Sequence, residues 1–371
     1  MNILSNIRTL TRAALTVLTL SVLLTACGEQ PDTALAPDQP AFSAMKQDAP
    51  GLQRAMEVQT RNTERFLEMK GVVGTGTGMD EEGNPTMIIF TERALGKGKI
   101  PEHVEDIPVR EEVVGVVEAL SWGGKPTNSK KNPTGTPSST TGSPTDRLSR
   151  PVPIGSATSN WYECGSATLG VRVRRGDAVF VLSNNHVFGR MNNALSGEII
   201  LQPGRSDVSC TQNTTDEVGR VADVQSIVFS TSYDNLMDAA MASTTVDLIS
   251  NSTPTDGYGI PSSTTAAAYI GMPVQKYGRS SRLTEGKVSA INVIVGINYS
   301  CGSARFINQI AIQPARKNSE FAIAGDSGSL VVTDDSNANP VGLLFGKSGT
   351  TVFATPIETV LNRFNVTIDG K

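Results

Sequence analysis

Three residues of this 371-residue chain have the types that one acyl-transfer reaction would use. Ser327 stands between glycines in Ala324-Gly325-Asp326-Ser327-Gly328, and the chain then runs into Leu330-Val331-Val332. A nucleophilic serine needs that setting. Its hydroxyl must project from a tight turn, and nearby amides must be free of bulky neighbours so that they can face a developing oxyanion. The turn alone is a modest signal, because glycine turns between strands are common. His186 follows an apolar run in Leu182-Ser183-Asn184-Asn185-His186-Val187. A general base belongs at the end of such a rigid element. The chain has two histidines, and the other, His103, lies in a charged loop with Glu102, Glu105 and Asp106, where a solvated surface role is expected. Asp238 opens the apolar stretch Ala239-Ala240-Met241-Ala242. A carboxylate entering a core needs a partner, and the histidine Nδ1–H would be one. Asp234, in the Tyr233-Asp234-Asn235 turn, is the competing candidate.

These residues need strands to hold them. From about Pro151 the chain reads as short strands separated by turns. Ser166 to Val173 and Ala178 to Ser183 are joined at Arg175-Gly176-Asp177, a hairpin signal. Further strands are expected at Glu198 to Leu201, Val218 to Ile227, Ala239 to Val246, Pro273 to Tyr277, Gly286 to Val295, Phe306 to Ile312, Ser329 to Thr333, Val341 to Phe345 and Thr351 to Ala354. This spacing suits a pair of small barrels or a large sandwich. Ile357, Val360, Leu361 and Phe364 have helical spacing and predict a terminal helix.

Upstream, the pattern predicts a helix between Gly51 and Lys70 with Gly71 as its C-cap. Strands Val72 to Gly78, Met87 to Thr91 and Val113 to Val117 should follow, making a small α+β unit over residues 51–121. Gly74, Gly76 and Gly78 are not a phosphate loop, since no Gly-Lys-Ser/Thr and no helix follow them. Residues 122–150 are rich in Pro, Ser, Thr and Gly and read as a linker. Residues 28–50, rich in Pro, Ala, Asp and Gln, read as a flexible tether. Before them, Arg8 and Arg12 precede a short apolar run that ends at Leu24-Thr25-Ala26-Cys27-Gly28, a targeting segment rather than a spanning helix. It resembles a bacterial lipobox, which implies lipid on Cys27, a membrane-tethered exported chain and, with Gly28 rather than Asp next, the outer membrane where there are two.

The formal charge of −4 gives no reason to expect a nucleic-acid partner. No cofactor is expected, and no His/Cys cluster has metal spacing. An exported chain is permitted disulfides. With Cys27 set aside, Cys164, Cys210 and Cys301 are odd in number, so one pair at most and a leftover thiol are expected, the pair unspecified.

The order His186, Asp238, Ser327 resembles the chymotrypsin-fold serine peptidases. Asn184-Asn185-His186-Val187, Asp238-Ala239-Ala240 and Gly325-Asp326-Ser327-Gly328 are similar to that family's three site motifs. Gln202-Pro203-Gly204, Lys276-Tyr277-Gly278-Arg279-Ser280-Ser281 and Pro340-Val341-Gly342-Leu343-Leu344-Phe345 are similar to a branch that joins bacterial trypsin-like proteins with the narrow-leaf type of plant protease. The resemblance implies an all-β double β-barrel catalytic domain over residues 151–371, here preceded by the small α+β domain. It implies Ser327 as nucleophile, His186 as base then acid, Asp238 as orienting carboxylate, and the amides of Gly325 and Ser327 as oxyanion hole. Asp326 would hold the turn. Phe321 falls at the base of the implied specificity pocket, with Leu344 and Phe345 on the next strand, so an apolar or small side chain is expected before the scissile bond. Two departures stand out. Ser329-Leu330 replaces a frequent Gly-Pro, and no Ile-Val-Gly-Gly start is present for activation by a new N-terminal amine. The expected function is an envelope-anchored serine endopeptidase acting on polypeptides. The alternative is a catalytically weak or inactive binding or scaffold lipoprotein on the same fold.

Overall fold

The structure is a computed structural model that describes residues 51–120 and 142–371. The targeting segment, Cys27, the tether and most of the expected linker lie outside the described residues.

Helix α1 (Leu52–Leu67) buries Leu52, Ala55, Met56, Val58, Gln59, Thr63 and Phe66, one face at three- and four-residue spacing. It closes at Glu68, whose amide bonds to Glu64. Gly71 is not its cap: at φ +94° it redirects the chain into the first strand. The strands that follow are β1 (Val72–Met79), β2 (Pro85–Thr91), β3 (His103–Val104), β4 (Ile107–Val113) and β5 (Glu118–Ala119). A strand was expected over Val113 to Val117, but the ladder lies just before it. Strand β4 runs parallel to β2 beyond the protected strands, where half-exposed Arg110, Glu111 and Glu112 are tolerated. Gly115, at φ +96°, then breaks the extended run.

Beyond residue 150 come β6 (Ala157–Asn160), β7 (Ala167–Thr168), β8 (Val171–Arg175), β9 (Ala178–Ser183), β10 (Ile199–Leu201), β11 (Glu217–Val224), β12 (Asp234–Asn235) and β13 (Ala240–Thr244). The second half holds β14 (Pro273–Gly278), β15 (Arg282–Tyr299), β16 (Gly302–Pro314), β17 (Leu330–Thr333), β18 (Pro340–Ser348), β19 (Thr351–Pro356), helix α2 (Ile357–Phe364) and β20 (Thr367–Ile368).

Eight strands form one sheet in the order β20-β8-β9-β13-β11-β10-β6-β7. It curls around Val181, Phe188, Ile200, Val218, Val221 and their neighbours. In the other sheet β14, β15, β16, β19, β18 and β17 pair in turn, and β17 returns to β14. That ring is closed, but strand ends that run past it keep a backbone edge, as Gly346 and Lys347 of β18 do beyond its pairing with β17. The fold is a chymotrypsin-like double barrel, with the first sheet the more open of the two.

Between the sheets lie Val173, Leu182 and Met241 from the first, and Leu330, Val332 and Leu343 from the second. Helix α2 adds Ile357, Val360, Leu361 and Phe364 to the same cluster. Each such buried side chain contributes roughly 1.5–3 kcal/mol, so the two sheets are held together firmly enough to share a site.

The N-terminal segment joins the closed barrel directly. Strand β1 pairs antiparallel with β15, Gly74 opposite Val295 and Thr75 opposite Ile294. The approach is close: a Cβ on Gly74 would lie 2.5 Å from the Ile294 carbonyl oxygen. Buried Gln59 of α1 binds Thr75 Oγ1 at 2.9 Å and accepts from Asn292 Nδ2 of β15 at 2.7 Å. An unmade bond there would leave a buried amide unsatisfied, so the polar cluster fixes the helix to the barrel. Cys164 and Cys210 are paired, with Cα atoms 5.2 Å apart. No cysteine among the described residues is free, so the leftover thiol expected from an odd count is not found. Among the described residues no helix is long and apolar enough to cross a membrane.

Candidate active site

Ser327, His186 and Asp238 reach one point between the sheets. His186 lies on a single π-helical turn, Asn185–Gly189, directly after β9. Its two preceding asparagines are anchors: Asn184 Nδ2 donates to the Asp238 carbonyl at 2.7 Å, and Asn185 Nδ2 donates to the Gln225 carbonyl at 2.6 Å. Asp238 precedes β13, which pairs with β9. The pairing brings the carboxylate beneath the imidazole. Asp238 Oδ2 is 2.5 Å from His186 Nδ1, and its Oδ1 accepts the His186 amide at 3.1 Å. His186 Nε2 lies 2.9 Å from Ser327 Oγ. Asp234 does not reach this point and instead pairs with Arg305 at 2.6 Å. His103 is exposed, as expected of a surface histidine.

The turn at Ser327 is fixed from three sides. Thr168 N–H donates to the Ser327 carbonyl, Thr168 Oγ1 to the Gly325 carbonyl, and Gly328 N–H to Leu344, each at 2.9 Å. Both flanking glycines have left-handed φ, +96° at Gly325 and +88° at Gly328. A Cβ at Gly328 would also lie 2.2 Å from Ser183 Oγ, so neither position admits a larger residue. Asp326 is turned away from Ser327. Its carboxylate accepts from the amides of Ser280, Ser281 and Ile323 at 2.9, 3.1 and 3.0 Å, and from Ser281 Oγ at 2.6 Å.

Two residues of this neighbourhood were not found by sequence reasoning. Tyr299, at the end of β15, donates its hydroxyl to Asp238 Oδ2 at 2.9 Å. Burial, reinforced by the Asp238 charge, holds this phenol well above the ordinary tyrosine pKa, so it stays a donor. Lys276 of β14 is fully buried, with Nζ 3.6 Å from Asp326 Oδ2. It also donates to Ser281 Oγ at 2.5 Å and to the Arg282 carbonyl at 3.0 Å. Burial pushes this ammonium below the usual lysine value, against the pull of Asp326. The signal available beforehand was slight: Lys276 shares the strand face of Val274, two residues before it.

A third feature covers the site. Residues 114–120 lie along β18, with Ala119 opposite Gly346 and Glu118 opposite Lys347, antiparallel. Ser348 Oγ bonds to the Val114 and Val116 carbonyls at 2.7 and 2.8 Å. Leu120 N–H donates to the Phe345 carbonyl at 3.1 Å, and the Leu120 carbonyl lies 2.9 Å from Ser327 Oγ. The Leu120 side chain shares a core cluster with Phe321, Ala322 and Leu344. Phe345 faces the other way, into the barrel, against Phe306. Beneath this cover His186 and Ser327 are buried, at 1% and 0% exposure.

No group of His, Cys, Asp and Glu suited to a metal ion occurs among the described residues. The arrangement holds a hydroxyl, an imidazole and a carboxylate in line beside a backbone edge that takes an extended peptide.

Among solved structures, the chain is similar to a glutamic-acid-specific serine protease, at 21% identity and TM-score 0.40, over 58% of this chain and all of that one. It is similar to protease A of Thermobifida fusca at 17% identity and TM-score 0.42, over 59% of this chain and 99% of that one. For the chymotrypsin of Cellulomonas bogoriensis the values are 16% and 0.40, over 59% and 99%. No curated protein sequence matches the chain. The sequence pattern of peptidase family S64 matches residues 167–369, more than half the chain and a stretch that contains His186, Asp238 and Ser327. The chain belongs to peptidase family S64.

Proposed function

We propose that this peptidase is a serine endopeptidase that works through an acyl-enzyme on Ser327. The observation that carries the reading is the unbroken line from Asp238 Oδ2 through both His186 ring nitrogens to Ser327 Oγ, at 2.5 and 2.9 Å. In that mechanism Ser327 Oγ attacks the peptide carbonyl carbon while His186 Nε2 takes its proton. Asp238 keeps the other ring nitrogen protonated and stabilises the imidazolium. The amides of Gly325 and Ser327 face the oxyanion, and among the described residues neither amide has another partner. His186 then protonates the leaving amine, so the C–N bond breaks and the acyl group stays on Oγ. Water, deprotonated by His186, releases the acid and restores the serine. An edge that binds the interior of a chain, as β18 binds residues 114–120, suits internal cleavage.

The test is labelling with a fluorescent fluorophosphonate of the chain from Gly28, and of its Leu120→Gly variant, in which no side chain fills the Phe321 cluster. Labelling should occur and should vanish in Ser327→Ala and His186→Ala. No labelling of either protein would return the chain to the binding or scaffold reading.

We place the enzyme at the cell envelope, held by lipid on Cys27, from the Leu24-Thr25-Ala26-Cys27 pattern. Cys27→Ser should move the protein from the membrane pellet to the soluble fraction and remove a diacylglyceryl mass. An unchanged distribution and mass would sink the assignment.

A further inference from the structure

We propose that the enzyme cleaves after leucine, in extended segments of the form Val-Glu-Ala-Leu, and that residues 117–120 display how such a substrate sits. The inference rests on Ser327 being the nucleophile. Its warrant is the register of the covering segment. An added strand gains its affinity from main-chain bonds that any sequence can make, and its selectivity from the side chains that enter pockets. Here the main-chain bonds run from Glu118 and Ala119 to Lys347 and Gly346, and from Leu120 N–H to the Phe345 carbonyl. The carbonyl that meets Ser327 Oγ belongs to Leu120. Leu120 therefore holds the position just before the bond that would break, and its side chain, 2% exposed, fills the space beside Phe321, Ala322 and Leu344.

The chemistry of that space selects an aliphatic group. The cation near it, Lys276, is 5.8 Å from the Phe321 ring and is already engaged by Asp326, Ser281 and the Arg282 carbonyl. A glutamate or lysine side chain before the bond would be buried without a partner. Val117 and Ala119 are buried in the adjoining cluster with Ile297, Phe345 and Phe353, which limits their size. Glu118 is exposed, so its position should accept most residues.

The test uses peptidyl diphenyl phosphonates Val-Glu-Ala-Xaa, with Xaa the analogue of leucine, phenylalanine, alanine, lysine or glutamate. These phosphonylate an active serine, with phenol leaving as the serine oxygen bonds to phosphorus. The proteins are the chain from Gly28 and its Leu120→Gly and Leu120→Ala variants, and the readout is the mass of the Ser327 peptide. A plain fluorophosphonate runs beside them. The leucine probe should react at least ~30-fold faster than the alanine probe, since even one lost methylene in an apolar pocket is worth about 10-fold or more and alanine lacks three carbons of leucine, and faster than the other three. An alanine, phenylalanine, lysine or glutamate probe that matches it overturns the proposal. So does plain fluorophosphonate labelling without reaction of the leucine probe, and in that case the serine-peptidase reading survives. No labelling by any reagent in any of the proteins removes both.

Discussion

Replacing Asp238 with asparagine is expected to lower kcat by about 10⁴, or about 5 kcal/mol of transition-state stabilisation. Three donors converge on this one carboxylate: His186 Nδ1–H, the His186 amide and the Tyr299 hydroxyl. An amide of the same shape has one oxygen and one NH2. Either placement of the NH2 faces a donor with a donor, and the placement toward Nδ1 forces the imidazole into the tautomer that cannot accept the Ser327 proton. Fluorophosphonate labelling should slow in parallel, while the fold persists because the volume is unchanged. Tyr299→Phe is the graded companion. It removes one of the three donors and leaves the tautomer intact, so a fall in kcat of roughly 10-fold with KM unchanged is expected, the size of one hydrogen bond to a charged group. An Asp238→Asn enzyme within tenfold of the parent would show that the carboxylate does not orient the base.

What could be read beforehand and what could not divides on sequence distance. Ser327, His186 and Asp238 each stand near a strand end beside residues that mark a turn or a core entry, which made them candidates, and their order and motifs together set them above competitors such as Asp234. Strand spacing left a pair of barrels or a large sandwich open, and only the resemblance pointed to barrels, whereas α2 was legible as four apolar residues on one face. Tyr299 was not, because nothing near it distinguishes a tyrosine that ends a long strand from an ordinary core residue. Its partner is 61 residues away and is met only through the β12–β16 and β15–β16 pairings. Leu120 was hidden for a similar reason. Val113 to Val117 is apolar enough to look like a paired strand, but Val113 ends the more polar ladder of β4, Val116 is exposed, and only Val114 and Val117 are buried where the chain passes toward β18. Register between distant strands cannot be read from either strand alone.

Lys276→Met should cost about 3 kcal/mol of stability and lower the labelling rate of Ser327 more than tenfold. Lys276 supplies a buried cation beside Asp326. Methionine matches its length but leaves a buried carboxylate without its counter-charge, a change that typically costs about 3–5 kcal/mol. The lower end is expected, because Asp326 keeps four other donors, from Ser280, Ser281 and Ile323. For a protein of this size, with an unfolding entropy of about 2.1 cal/mol/K per residue, that is a fall in Tm of roughly 4–5 °C. The catalytic loss follows from position. Asp326 is the residue before Ser327, and any rotation of its carboxylate toward solvent would turn the Gly325 and Ser327 amides with it. Thermal unfolding and labelling measured together separate the two effects. A Tm within about 2 °C of the parent would mean that the four neutral donors alone satisfy Asp326, and that the lysine is a passenger in the strand.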